Sequence, residues 1–133
     1  MSGLISESPS HSRLALASGC GLCFLAVAIG AFAAHALADV LVANKRVDTF
    51  ELANRYHFFH GLALIALSFW RSNQPATSVR FAEWALLAGT CIFSGSLYAL
   101  SFSNIGALGA ITPLGGLLLL TGWAWLIFLS LKE

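Results

Sequence analysis

Charge is what this chain has least of. Only 10% of its 133 residues are Asp, Glu, Lys or Arg, where a soluble domain carries about 25%. From Trp84 to Leu131 there are 48 consecutive residues without a formal charge. That run is too long for one bilayer crossing and suits two, since a spanning helix takes about 20 apolar residues. No Asp or Glu falls at the centre of an apolar run, which argues against a proton-coupled pump, because such pumps use buried carboxylates. The net charge of +1 gives no electrostatic basis for nucleic-acid binding. Three cysteines, Cys20, Cys23 and Cys91, are too few for a disulfide framework.

What is present is apolar: 58% of the chain is hydrophobic. The expected fold is all-α, an integral membrane four-helix antiparallel bundle. Its spans are expected at about 14–38, 49–70, 81–101 and 113–131. Residues 1–12, with five serines and no apolar period, read as a disordered tail. Residues 13–133 form a single transmembrane domain. Leu14 to Ala38 carries no formal charge and is longer than the h-region of a signal peptide, which runs about 7–15 residues.

Asp39 to Arg55 is the one strongly polar stretch. Asp48 and Glu51 have capping-box spacing and place a helix start near Thr49. Glu51 and Arg55 stand at i, i+4 in the favourable order. Arg71 to Arg80 reads as a connection, Ser101 to Gly106 as a break, and Thr112-Pro113 as a helix start. Four spans put both termini on one side. Arg13, Arg71, Arg80 and Lys132 on that side, against Lys45, Arg46 and Arg55 on the other, favour cytoplasmic termini. Trp70 and Trp84 flank the 71–80 connection, where an interfacial aromatic belt is expected. Small residues spaced by four, Ala26-Gly30-Ala34, Ala85-Gly89 and Gly95-Ala99, read as helix-packing faces, with a homodimer face as the other use.

Depth sorts the polar residues. At 1.5 Å of rise per residue, His35 is about 33 Å from the terminal-side surface, and His57 and His60 about 21 and 16 Å. Ser94, Ser96 and Tyr98 fall at about 21–27 Å and Thr112 at about 30 Å. With Tyr56, these residues form an expected intramembrane polar cluster in the half of the bundle away from the termini. Polar groups at such depth are costly and mark functional sites, or else serve as interhelical glue. Cys20-Gly21-Leu22-Cys23 matches a redox pattern, but a reactive thiol needs a helix N-terminus or a cation beside it. These thiols lie mid-helix, so inert packing is the expected use.

Five short segments then fall into a known order: Gly30-Ala31-Phe32-Ala33-Ala34-His35, Tyr56-His57-Phe58-Phe59-His60, Phe93-Ser94-Gly95-Ser96-Leu97-Tyr98, Thr112-Pro113-Leu114-Gly115-Gly116 and Gly122-Trp123. They resemble the motifs of the YgdD-like small inner-membrane proteins, the group termed domain of unknown function 423, which also takes in transmembrane protein 256. The resemblance covers residues 14–131. It departs at Ala33, where the family more often has Gly, and at His57, where Gln is usual. The resemblance implies a four-helix protein of the bacterial cytoplasmic (inner) membrane and supplies no reaction.

Three functions follow as expectations. The first is a non-catalytic scaffold or accessory subunit, with no cofactor, whose partners are the lipid bilayer and a homo-oligomer or another membrane protein. The second is a metal- or haem-binding protein using His35 and His60, with His57 in support. The third is a small oligomeric transporter or channel.

Overall fold

A computed structural model describes residues 10–70 and 76–132. The described residues are almost all helical. They comprise α1 (Ser10–His35), the short α2 (Ala38–Ala43), α3 (Val47–Trp70), α4 (Ala76–Ser103), a 3-10 turn (Gly106–Ala110) and α5 (Thr112–Ser130). The four long helices pack antiparallel, α1 on α3, α3 on α4 and α4 on α5.

Among the described residues, three segments are long and apolar enough to cross a membrane: Arg13–His35, Val79–Ser103 and Gly106–Ser130. α3 is just as long, but it carries Asp48, Glu51, Asn54, Arg55, His57 and His60, which lowers its apolar content. Its place in the bundle takes it across all the same. α1 and α4 run in the same direction, and the chain returns between them along α3.

The expected boundaries shift for local reasons. α1 ends at His35, not residue 38, because Ala36 and Leu37 turn the chain into α2. Residues 1–9 of the expected tail lie outside the described residues, and Ser10–Ser12 belong to α1. α3 starts at Val47, its first bond running from the Phe50 amide to the Arg46 carbonyl at 2.9 Å. Asp48 is therefore inside the first turn, where it favours the helix dipole, and is not the N-cap. Of the expected 71–80 connection, 71–75 lies outside the described residues and 76–80 is already helix. The expected break is real. α4 stops at Ser103, and Asn104 turns left-handed at φ 55°. Lys45, between α2 and α3, does the same at φ 56°. Arg46 Nε donates to Asn104 Oδ1 at 3.0 Å, which ties these two turns together. Pro113 sits in the first turn of α5, as its missing N–H requires.

The helices meet at glycines. A methyl group on Gly19 would lie 2.7 Å from the Gly61 carbonyl oxygen, and one on Gly61 would lie 2.7 Å from Cys23 Sγ. At the α4–α5 contact, Gly89 faces Leu119, Gly115 faces the Phe93 backbone, and Gly122 faces Leu86 and Ala85. Without an apolar driving force between helices in lipid, such close approach supplies the packing energy. Ala26, Ala85 and Gly89 from the expected faces are buried. Gly95 and Ala99 are not, and a methyl on Gly95 would meet open space. The main core, Leu22, Leu64, Leu67, Leu86, Leu119 and Leu126 among others, fills the terminal-side half. Ala33, Leu41 and Phe50 close the opposite end.

Candidate intramembrane polar site

The polar residues of the outer half do not form one patch. They form three ties, each joining a different set of helices.

The first joins α1, α3 and α4. Asn54 Nδ2 donates to the Ala26 carbonyl of α1 at 2.8 Å and to the Tyr98 hydroxyl of α4 at 3.0 Å. Tyr98 Oη in turn stands 3.1 Å from His57 Nδ1. With its oxygen accepting from Asn54, the phenol has its hydrogen left for His57. Beside it, Ser94 Oγ donates to the Ala53 carbonyl at 2.8 Å. Asn54, His57 and Ala53 share one stripe of α3, which is why one face of that helix reaches both neighbours.

The second joins α3 and α5. Trp123 Nε1 donates to His60 Nε2 at 3.1 Å, and His60 Nδ1 donates to the Tyr56 carbonyl at 2.8 Å. One ring nitrogen accepts and the other donates, which fixes His60 as a neutral imidazole with no nitrogen left over. The Tyr56 ring stacks on His60 with centroids 5.7 Å apart and packs on Phe93 at 4.6 Å.

The third joins α4 to the start of α5. Ser96 Oγ and Thr112 Oγ1 are 2.8 Å apart, and Ser96 also donates to the Phe93 carbonyl at 3.0 Å. A hydroxyl has one hydrogen, so Thr112 is the donor between them. Interhelical bonds of this kind average about 0.6 kcal/mol in membranes. Ser96→Ala is therefore expected to lower stability by about 0.6 kcal/mol in a detergent-denaturation titration. A loss above about 2 kcal/mol would show that the pair does more than pin α5.

His35 joins none of these ties. It is exposed at the end of α1. Cys23 Sγ donates to the Phe58 carbonyl at 3.8 Å, which sets Cys23 level with the His60 turn of α3. His35 is a further 12 residues along α1, so it stands about 18 Å beyond His60 along the bundle. The expected pairing of His35 with His60 is thus not assembled by the fold, because antiparallel packing brings the far end of α1 to the start of α3. No group of three His, Cys, Asp or Glu side chains gathers among the described residues. Cys20 and Cys91 face outward and Cys23 faces α3.

Two participants lie outside the expected cluster. Asn54 is three residues before His57 on the same face, and a carboxamide inside a span is costly enough to have marked it. Trp123 enters the sequence reading only through the Gly122-Trp123 motif, and nothing in its spacing points to His60. A third unforeseen feature is α2. Folded back beneath the α1–α3 turn, it roofs a cleft of about 530 Å³ between α1, α2 and α3. Its mouth carries Glu51, Asn54 and Arg55.

The chain matches the family described as "Protein of unknown function (DUF423)" over residues 29–116. It is 42% identical over 108 residues to a UPF0382 membrane protein of Staphylococcus epidermidis, covering 81% of this chain and 87% of that protein. It is 38% identical over 109 residues to the UPF0382 membrane protein YwdK of Bacillus subtilis, covering 81% and 88%. To a UPF0382 membrane protein of Haemophilus influenzae it is 42% identical over 112 residues, covering 83% and 87%. No solved structure matches it.

Proposed function

The chain belongs to the DUF423 family of UPF0382 membrane proteins, and on that premise we propose that it is a non-catalytic scaffold or accessory subunit of the bacterial cytoplasmic membrane, with both termini in the cytoplasm. The observation that carries the reading is where the polar groups are spent. His57, His60, Ser94, Ser96, Tyr98, Thr112 and Asn54 are all engaged with another helix or a backbone carbonyl. A catalytic or ligating set has to keep a nucleophile, base or lone pair available for its substrate. These groups instead fix the spacing and register of the helices. What the bundle leaves to others is its outer faces: apolar, broad and rigidly held.

The test is genetic and biochemical together. In a strain lacking the chain, variants His60→Gln, Ser94→Ala and Tyr98→Phe are expected to restore the deletion phenotype in proportion to their folded abundance in the membrane. A variant as abundant and as stable as the wild type, yet inactive, would show that the polar group acts chemically and sink the reading. Reporter fusions at the two termini are expected to give a cytoplasmic signal at both.

A further inference from the structure

We propose that the cleft between α1, α2 and α3 binds an aminophospholipid, taking its zwitterionic headgroup from the leaflet opposite the chain termini. The cleft, at about 530 Å³, lies within the range of small-ligand pockets, about 300–1,000 Å³. Its walls are small and apolar: Gly30, Ala33 and Ala34 of α1, Leu41 and Val42 of α2, and Phe50 of α3. Its polar groups all come from one side of α3, namely Glu51, Asn54 and Arg55.

Depth makes the arginine informative. Arg55 is 15 residues before Trp70, hence about 22 Å above the terminal-side belt, within a hydrocarbon core about 30 Å thick. An arginine there is costly unless it is paired or draws polar lipid groups down to it. Glu51, one turn away, is the obvious partner, yet both side chains are exposed and, among the described residues, neither has an ion-pair partner. Asn54 spends its amide hydrogens on Ala26 and Tyr98, and its carboxamide lies against Gly30 in the cleft wall. The cleft therefore presents a guanidinium to an anion and a carboxylate to a cation.

The order of these charges matches one ligand. Running inward from the outer end of α3 come Glu51, then Arg55 about 6 Å deeper, then exposed Phe59 and Leu62 on the same face. An aminophospholipid in that leaflet has the same order: ammonium outermost, phosphate next across a two-carbon bridge, acyl chains below. The arginine suits the phosphate oxygens through charge-assisted bonds. The carboxylate suits the ammonium. An acidic lipid without an amine, such as phosphatidylglycerol, would leave Glu51 without a cation.

The full chain, purified in mild detergent, can be titrated with palmitoyl-oleoyl phosphatidylethanolamine or phosphatidylglycerol and the bound lipid counted by native mass spectrometry. Phosphatidylethanolamine is expected to bind about tenfold tighter than phosphatidylglycerol, and Arg55→Gln and Glu51→Gln each to weaken it about tenfold, the loss of one charge-assisted contact. Ala34→Phe, which fills the cleft from an exposed position, is expected to abolish binding while leaving helicity unchanged. Equal binding of the two lipids, or insensitivity to Ala34→Phe, would overturn the proposal. So would a loss confined to Arg55→Gln, since that is only a phosphate on an arginine. Full competition by free phosphoethanolamine would likewise overturn it, because the ligand would then be a soluble one.

Discussion

Gly115→Leu is expected to separate α5 from α4 and to remove the folded protein from the membrane. Even the first carbon of the new side chain has nowhere to go. It would overlap the Phe93 amide nitrogen, and lie 2.8 Å from Phe93 Cα and 2.9 Å from the Gly89 carbonyl oxygen. All of these are backbone atoms in the middle of a helix, so no rotamer change relieves the contact. Overpacking usually costs about 1–3 kcal/mol where side chains can yield, and here they cannot. The cost also spreads, because Ser96–Thr112 and Trp123–His60 lie on either side of the contact. Gly115→Ala should already lower stability by about 3 kcal/mol. Gly95→Ala on α4, whose methyl meets open space, is the control and should cost little. The comparison is a detergent-denaturation titration of the two alanine variants with membrane abundance of the leucine one. Equal stability of Gly115→Ala and Gly95→Ala would mean that α4 and α5 do not meet as described.

Asn54→Leu comes next in expected size. The side chain is nearly isosteric, so the change isolates hydrogen bonding from volume. It removes one tie to α1 and one to α4, the bonds to Ala26 and Tyr98. Single bonds of this type are worth about 0.6 kcal/mol on average and at most about 1.7. Two of them set an expected loss of about 1–3 kcal/mol. Tyr98→Phe breaks its bonds to Asn54 and His57 together. A double-mutant cycle between Asn54→Leu and Tyr98→Phe should therefore give a coupling of about 0.6–1.7 kcal/mol. Simple additivity would show that the three-helix tie is not made in the membrane.

The sequence made the long helices readable because lipid imposes a coarse rule: uncharged runs of the right length, separated by polar or Pro-marked breaks. The left-handed turn at Asn104 and the start at Thr112 fell where that rule puts them. α2 did not, because Ala38–Ala43 is too short to show a period and lies inside a stretch read as polar. The polar site was only half legible. Depth along each helix put Tyr98, His57, Ser96 and Thr112 in one half of the bundle without pairing them, and the bonds Tyr98–His57 and Ser96–Thr112 join members of that set. It also grouped His35 with His60, because counting from one surface ranks residues by height and says nothing of which neighbour each helix faces. Asn54 and Trp123 escaped for the complementary reason. Asn54 had an ordinary alternative place at a polar helix start in spite of its depth, and Trp123 one on an exposed face, and their partners on other helices reveal their use.

The packing order α1 on α3, α3 on α4 and α4 on α5 has a consequence for biosynthesis. α3 and α5 each lean chiefly on the long helix made just before them, whereas α4 makes its larger contact with α5 and has to wait for it. The ties mature in the same sequence, Asn54 to α1 before Tyr98 is translated, and His60 to α5 only once Trp123 has been added. A chain stalled after α4 would already hold the cleft between α1, α2 and α3, with α4 still bare where α5 belongs.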